Sequence, residues 1–109
     1  DYRGGYLGYY DPVTDNFNEW RTPAGARSGP YGMAADDQGR IWFVETGVQP
    51  NRLVGFLPGR QRFTKPVPVP SGGGTVRNMI YDDTRNALWF GADTNTIGRV
   101  RLDVEQAPE

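Results

Sequence analysis

The side chains able to carry catalysis in this sequence are carboxylates, phenols, a lysine amine and guanidinium groups. Its 109 residues include no histidine and no cysteine. That excludes a Ser-His-Asp triad, thiolate nucleophiles, disulfides and most zinc sites. Acid–base or metal chemistry would fall to groups such as Glu45, which follows the apolar run Ile41-Trp42-Phe43-Val44. A carboxylate there has two readings, a cation ligand or the partner of a nearby arginine. The acidic pairs Asp36-Asp37 and Asp82-Asp83 also suggest metal. They recur ahead of similar apolar strands, however, and read as turns, because Asp side chains hydrogen-bond their own backbone. Ser71-Gly72-Gly73-Gly74 is similar to a phosphate cradle, but no Lys-Ser/Thr pair follows and no helix supplies amide dipoles. It reads as a flexible linker.

Charge narrows the partners. Twelve Lys and Arg face thirteen Asp and Glu, a net charge of -1, which argues against a nucleic-acid surface. The densest basic group, Arg60, Arg62 and Lys65, reads as a solvated strand edge. No apolar stretch approaches the roughly 20 residues of a membrane helix, so no membrane partner is expected. The sequence opens on Asp1 and shows no signal peptide. That start reads as processed, truncated or engineered, and the compartment stays open between bacterial periplasmic or secreted and cytoplasmic. Aromatic residues make up 13%, enough area to bury that disorder is not expected.

The elements that must position these groups are strands. No stretch carries helical apolar spacing free of Gly or Pro, whereas short β-branched and aromatic runs recur, each closed by a turn residue. Two of them repeat. Tyr31-Gly-Met-Ala-Ala-Asp-Asp-Gln-Gly-Arg-Ile-Trp-Phe-Val-Glu45 returns as Arg77-Asn-Met-Ile-Tyr-Asp-Asp-Thr-Arg-Asn-Ala-Leu-Trp-Phe-Gly91. A second element, Leu7-Gly8-Tyr9-Tyr10, returns at Val54-Gly55-Phe56-Leu57 and at Ile97-Gly98-Arg99-Val100. The period, about 43 to 47 residues with four strands per unit, is that of a β-propeller blade.

The expected fold is therefore all-β, with blades of four antiparallel strands, about two and a quarter of them. With strands labelled A (inner) to D (outer), residues 1–23 hold strands C and D of a partial blade, at 5–11 and 16–21. Residues 24–70 form a complete blade with strands at 31–36, 40–45, 52–57 and 61–66 and a Pro-rich exit. Residues 71–109 hold strands A to C of a last blade, at 76–82, 87–91 and 96–102, and a polar tail from Asp103. Trp42, Phe43, Trp89 and Phe90 are the expected core between blades. Inner strands line a propeller's channel, so Tyr31 and Arg77, which open two of them, become candidate ligand-binding residues.

The unit Gly29-Pro30-Tyr31-Gly32, Ile41-Trp42-Phe43-Val44-Glu45 and Asn51-Arg52-Leu53-Val54-Gly55 resembles the repeat of the streptogramin (virginiamycin B) lyase family. The last unit matches it at Leu88-Trp89-Phe90 and Asn95-Thr96-Ile97-Gly98-Arg99. The resemblance implies a seven-bladed propeller and, for active members, Mg²⁺-assisted elimination across an ester bond of a cyclic depsipeptide. It implies a glutamate after the Trp-Phe strand, which is Glu45 here, with Asp93 in its place in the last blade, and Mg²⁺ at Glu45. It also implies a histidine opening strand A, where this sequence has Tyr31 and Arg77.

Three functions follow as expectations. The chain is part of a binding or scaffold propeller whose channel takes a small molecule or peptide. Alternatively it is part of a virginiamycin B lyase-type carbon-oxygen lyase, inactivating an antibiotic, whose essential groups come from other blades or a partner chain. The third is a self-assembling structural module. Each leaves two apolar blade faces to be covered, by the remaining blades or by further copies.

Overall fold

The computed structural model describes residues 1–102, and the tail expected from Asp103 lies outside them. Strands β1 (Tyr6–Asp11) and β2 (Asn16–Arg21) pair as one antiparallel sheet. The middle sheet contains β3 (Pro30–Ala35), β4 (Ile41–Glu45), β5 (Arg52–Leu57), β6 (Arg62–Phe63) and β7 (Val67–Pro68). The last is β8 (Val76–Asp82), β9 (Ala87–Ala92) and β10 (Thr96–Arg101), in the order β8-β9-β10. Among the described residues there is no α-helix, only a 3₁₀ turn at Gly25–Arg27 between the first two sheets.

The outer strand of the middle sheet departs from expectation. A continuous strand at 61–66 was expected, with a proline-rich exit. Instead β6 and β7 are two short pieces, both hydrogen-bonded to β5. Pro66 has no N–H to give a ladder, and the strand breaks between Phe63 and Val67. Thr64 bridges the break: its N–H donates to the Gly55 carbonyl at 2.7 Å, and its Oγ1 accepts the Gly55 N–H at 2.8 Å.

The sheets stack face to face with their inner strands closest. Gly32 of β3 lies so near β8 that a Cβ there would sit 3.1 Å from the Arg77 carbonyl oxygen. Strand alternation then sends side chains to opposite faces of the middle sheet. Trp42, Val44 and Leu53 meet Val76, Met79, Leu88 and Phe90 of the last sheet in one buried cluster. On the other side Phe56 packs on Trp20 of the first sheet at 4.8 Å between ring centres, and Phe63 on Phe56 at 5.0 Å. Both faces are covered, which is why β4 is apolar from Ile41 to Val44.

Trp89 is not core. Trp42 is 1% exposed and Phe43 and Phe90 are buried, whereas Trp89 is half-buried. It faces away from the middle sheet beside Ile80, and Leu88 turns inward in its stead. Trp42 and Trp89 hold equivalent register positions, opposite Ala34 and Ile80. They differ in burial because only the first has a sheet packed over it.

Four hairpin turns close on a residue with left-handed backbone immediately before the second strand, Asp15, Gln61, Asn86 and Asn95, and the β3–β4 turn has Gly39 two residues before β4. Asn and Asp tolerate that conformation better than most residues. Asn95 therefore serves its turn, although its sequence context matches that of Asn51.

Candidate functional site

Glu45 ends β4 and is fully buried. Arg52, directly across the ladder, forks onto Oε1 through Nε at 3.0 Å and Nη2 at 2.7 Å. The Ala24 amide and the Ser28 hydroxyl each donate to Oε2 at 2.8 Å. These bonds hold the linker after β2 against the end of β4. They also decide between the two readings of Glu45. Two oxygens accepting four donors, a guanidinium among them, present no lone pair to a cation. Among the described residues no three His, Cys, Asp or Glu side chains cluster to hold a metal. The donor set present does not fit Mg²⁺.

Asn51, also fully buried, was not singled out by sequence as a positioning residue. Its Oδ1 accepts the Val76 amide at 3.0 Å, its Nδ2 donates to the Val48 and Gly74 carbonyls at 3.1 Å, and its amide donates to the Gly72 carbonyl at 2.8 Å. The glycine linker is thus pinned by backbone recognition. Gly72, Gly73 and Gly74 all have positive φ, and a Cβ on Gly73 would press on the Asn51 side chain at 2.9 Å. The signal in the sequence was the pairing of an Asn before β5 with a glycine run ahead of the next inner strand.

Tyr31 and Arg77 do occupy matching places. Pro30 pairs with Glu45 and Val76 with Ala92, and in each ladder the register slips immediately afterwards. Tyr31 and Arg77 are at these bulges, where an inner strand carries one extra residue. A bulge turns a side chain out of the ladder's alternation, and both residues are exposed. The Tyr31 ring meets Tyr2 edge-on at 5.8 Å. Arg77 Nη2 is 4.0 Å from Asp93 Oδ2, and both side chains are about half open to solvent.

Asp93 is not the counterpart of Glu45. The ladder puts Ala92 there, opposite both Val76 and Thr96, as Glu45 is opposite Pro30 and Arg52. Asp93 stands one residue on, like Thr46. Thr46 bonds back to the Gly29 carbonyl through its amide and hydroxyl. Asp93 does the same job toward Thr75, its amide donating to the Thr75 carbonyl at 3.2 Å and its Oδ1 accepting the Thr75 amide at 2.9 Å. A shift of one residue on a strand reverses the face, so the expected carboxylate is at the strand's end rather than inside the sheet.

The acidic pairs combine turn chemistry with a second task. Asp36 Oδ1 accepts the Gln38 and Arg40 amides, and its Oδ2 accepts Trp42 Nε1 at 2.9 Å. Burial alone would raise the Asp36 pKa, but the Trp42 indole and the Arg40 amide and guanidinium outweigh it and hold it below the usual carboxylate value. Asp82 repeats the arrangement with the Thr84 hydroxyl and Trp89 Nε1, and its carboxyl is held well below the ordinary range by those bonds and by Arg85.

Antiparallel sheets stacked face to face, with their inner strands in close contact, define blades of a β-propeller. Solved structures agree. The chain matches a streptogramin B lyase structure at 24% identity and a TM-score of 0.76, over 96% of this chain and 33% of that one. It matches virginiamycin B lyase from Staphylococcus aureus at 15% identity and a TM-score of 0.69, over 95% of this chain and 36% of that one. A catalytically inactive variant of the Staphylococcus aureus enzyme with quinupristin matches at 19% identity, a TM-score of 0.70 and the same coverages. The chain therefore has the fold of part of a streptogramin lyase-like propeller and spans about a third of the length of these proteins. No protein-family model and no curated protein matches it.

Proposed function

We propose that this chain contributes a ligand-recognising end of the channel to a streptogramin lyase-like propeller that acts as a binding or scaffold module, completed by further blades. The observation that carries this reading is the pair of equivalent bulges at which Tyr31 and Arg77 leave their ladders with exposed side chains. A phenol and a guanidinium with a half-open carboxylate beside them suit a small polar molecule or peptide, by stacking and charge-assisted hydrogen bonds. No histidine opens either inner strand, so the site favours binding over elimination. Lyase chemistry in the assembled ring would draw its base and any Mg²⁺ ligands from other blades.

The test is a tryptophan-fluorescence titration with quinupristin, the compound present in one of the similar structures. Product formation is followed in parallel, with and without Mg²⁺. Saturable binding that Arg77→Ala weakens at least tenfold, with no linearised product, supports a binding module. Mg²⁺-dependent product from the chain alone would establish the lyase reading instead. No saturable binding would reject this ligand class.

A further inference from the structure

Arg77 and Asp93 stand close together without closing a pair. Arg77 Nη2 is 4.0 Å from Asp93 Oδ2, beyond hydrogen-bond reach. Among the described residues the Arg77 side chain has no other polar partner, so its planar fork of N–H donors is unused. Asp93 is held in place by the linker before β8. Its Oδ1 accepts the Thr75 amide at 2.9 Å, and its own amide donates to the Thr75 carbonyl at 3.2 Å. Gly74 has no Cβ to contest the place of that carboxylate. Asp93 therefore cannot swing toward Arg77 without giving up the Thr75 amide. A cation and an anion are thus presented side by side, their side chains 59% and 45% exposed. An aromatic ring is near them. Tyr31 precedes Gly32, where the backbones of β3 and β8 come into contact at Arg77. Its ring is half exposed and is braced edge-on by Tyr2.

We infer that this end of the channel binds a free α-amino acid with an aromatic side chain. The ligand carboxylate forks onto Arg77, its ammonium faces Asp93 Oδ2, and its ring lies against Tyr31. Charge complementarity selects this class. A simple anion on Arg77 would meet the Asp93 carboxylate, and a simple cation on Asp93 would meet the guanidinium. An α-amino acid carries both charges on one carbon and answers both groups at once. The inference rests on the reading of the channel end as a ligand site, and it names the ligand. It draws on strand ends at the channel, not on the sheet faces against which further blades pack.

Isothermal titration calorimetry on the whole chain tests this with four probes: phenylalanine, phenylalaninamide, N-acetylphenylalanine and alanine. Phenylalanine should bind saturably. Each of the others lacks one recognised group and should bind about tenfold more weakly or worse. Two variants then assign the groups, with circular dichroism confirming their fold. Arg77→Gln should erase the preference for phenylalanine over its amide. Asp93→Asn keeps an oxygen for the Thr75 amide and should erase the preference over the N-acetyl compound. No saturable binding of phenylalanine would overturn the inference. So would an amide, N-acetyl compound or alanine that binds as tightly as phenylalanine, or preferences that survive both substitutions. The quinupristin titration separates the two levels of the argument. Quinupristin bound without phenylalanine would leave the channel end a ligand site and overturn only the ligand class named here.

Discussion

The indole Nε1 of Trp42 donates to Asp36 Oδ2 at 2.9 Å across the first turn of the middle sheet. Trp42 is the largest fully buried side chain, and its only polar atom needs a partner there. Asp36 supplies it while closing the turn, so the turn carboxylate and the interior of the blade are one unit. Trp89 and Asp82 repeat the bond at 3.1 Å in a half-open setting.

Removing the buried partner should therefore cost more than removing the open one. Asp36→Ala leaves the Trp42 N–H and the Arg40 guanidinium without their acceptor, and we expect a loss of about 2–3 kcal/mol. Asp82→Ala leaves Trp89 able to reach water, and we expect a smaller loss than at Asp36. Urea unfolding of the two variants gives both values.

The same pair sets an acid limit. In the folded chain the Asp36 carboxyl is held below its ordinary value by the Trp42 indole and by Arg40, against the effect of burial. A depressed carboxylate contributes stability that is present above its unfolded pKa and lost as pH falls through the folded one. Melting temperature should thus be flat near neutrality and fall below about pH 4. Asp36→Asn should be less stable at neutral pH, and its curve should fall less steeply in acid.

The architecture was legible because a blade advertises itself twice, in period and in turn chemistry. The strands from Tyr6 to Arg101 lie within two residues of the positions set by the repeated Asp-Asp and Trp-Phe pairs, apart from the outer strand that breaks at Pro66. What sequence could not give was register. Aligning Gly98 with Gly55 is reasonable by sequence, yet Gly98 lies opposite Phe90 while Gly55 lies opposite Trp42. The same single step put Asp93 in the place of Glu45. Trp89 was misjudged for another reason: whether a blade face is core depends on what packs against it, which no local pattern records. The partners of Glu45 were equally hidden, since Ala24 and Ser28 reach it from the segment between β2 and β3.

Those partners make Glu45 a structural anchor. Glu45→Ala leaves the Arg52 guanidinium, the Ser28 hydroxyl and the Ala24 amide unsatisfied at a buried site, and we expect a loss of about 3–5 kcal/mol. Millimolar Mg²⁺ should leave the melting temperature of the unmodified chain unchanged, because a resident cation would stabilise the folded state by mass action. A Mg²⁺-dependent rise that Glu45→Gln abolishes would show that the ion displaces Arg52.

The two strand glycines allow a sharper test, because their surroundings differ in a known way. A Cβ on Gly55 would lie 2.8 Å from Trp42 Cζ3 and 3.0 Å from the Thr64 methyl, while one on Gly91 would meet nothing within 4 Å. Neither has positive φ, so alanine fits both backbones and only packing separates them. Trp42 cannot yield without disturbing the cluster of Val44, Leu53, Leu88 and Phe90 that surrounds it. Gly55→Ala should therefore destabilise by about 1–3 kcal/mol, the range for overpacked cores. Gly91→Ala should be neutral or stabilise by a few tenths of a kcal/mol, since it removes only unfolded-state freedom. Equal losses at the two sites would mean that the ring over Gly55 moves freely, and the Asp36–Trp42 bond would then not fix the interior of the blade.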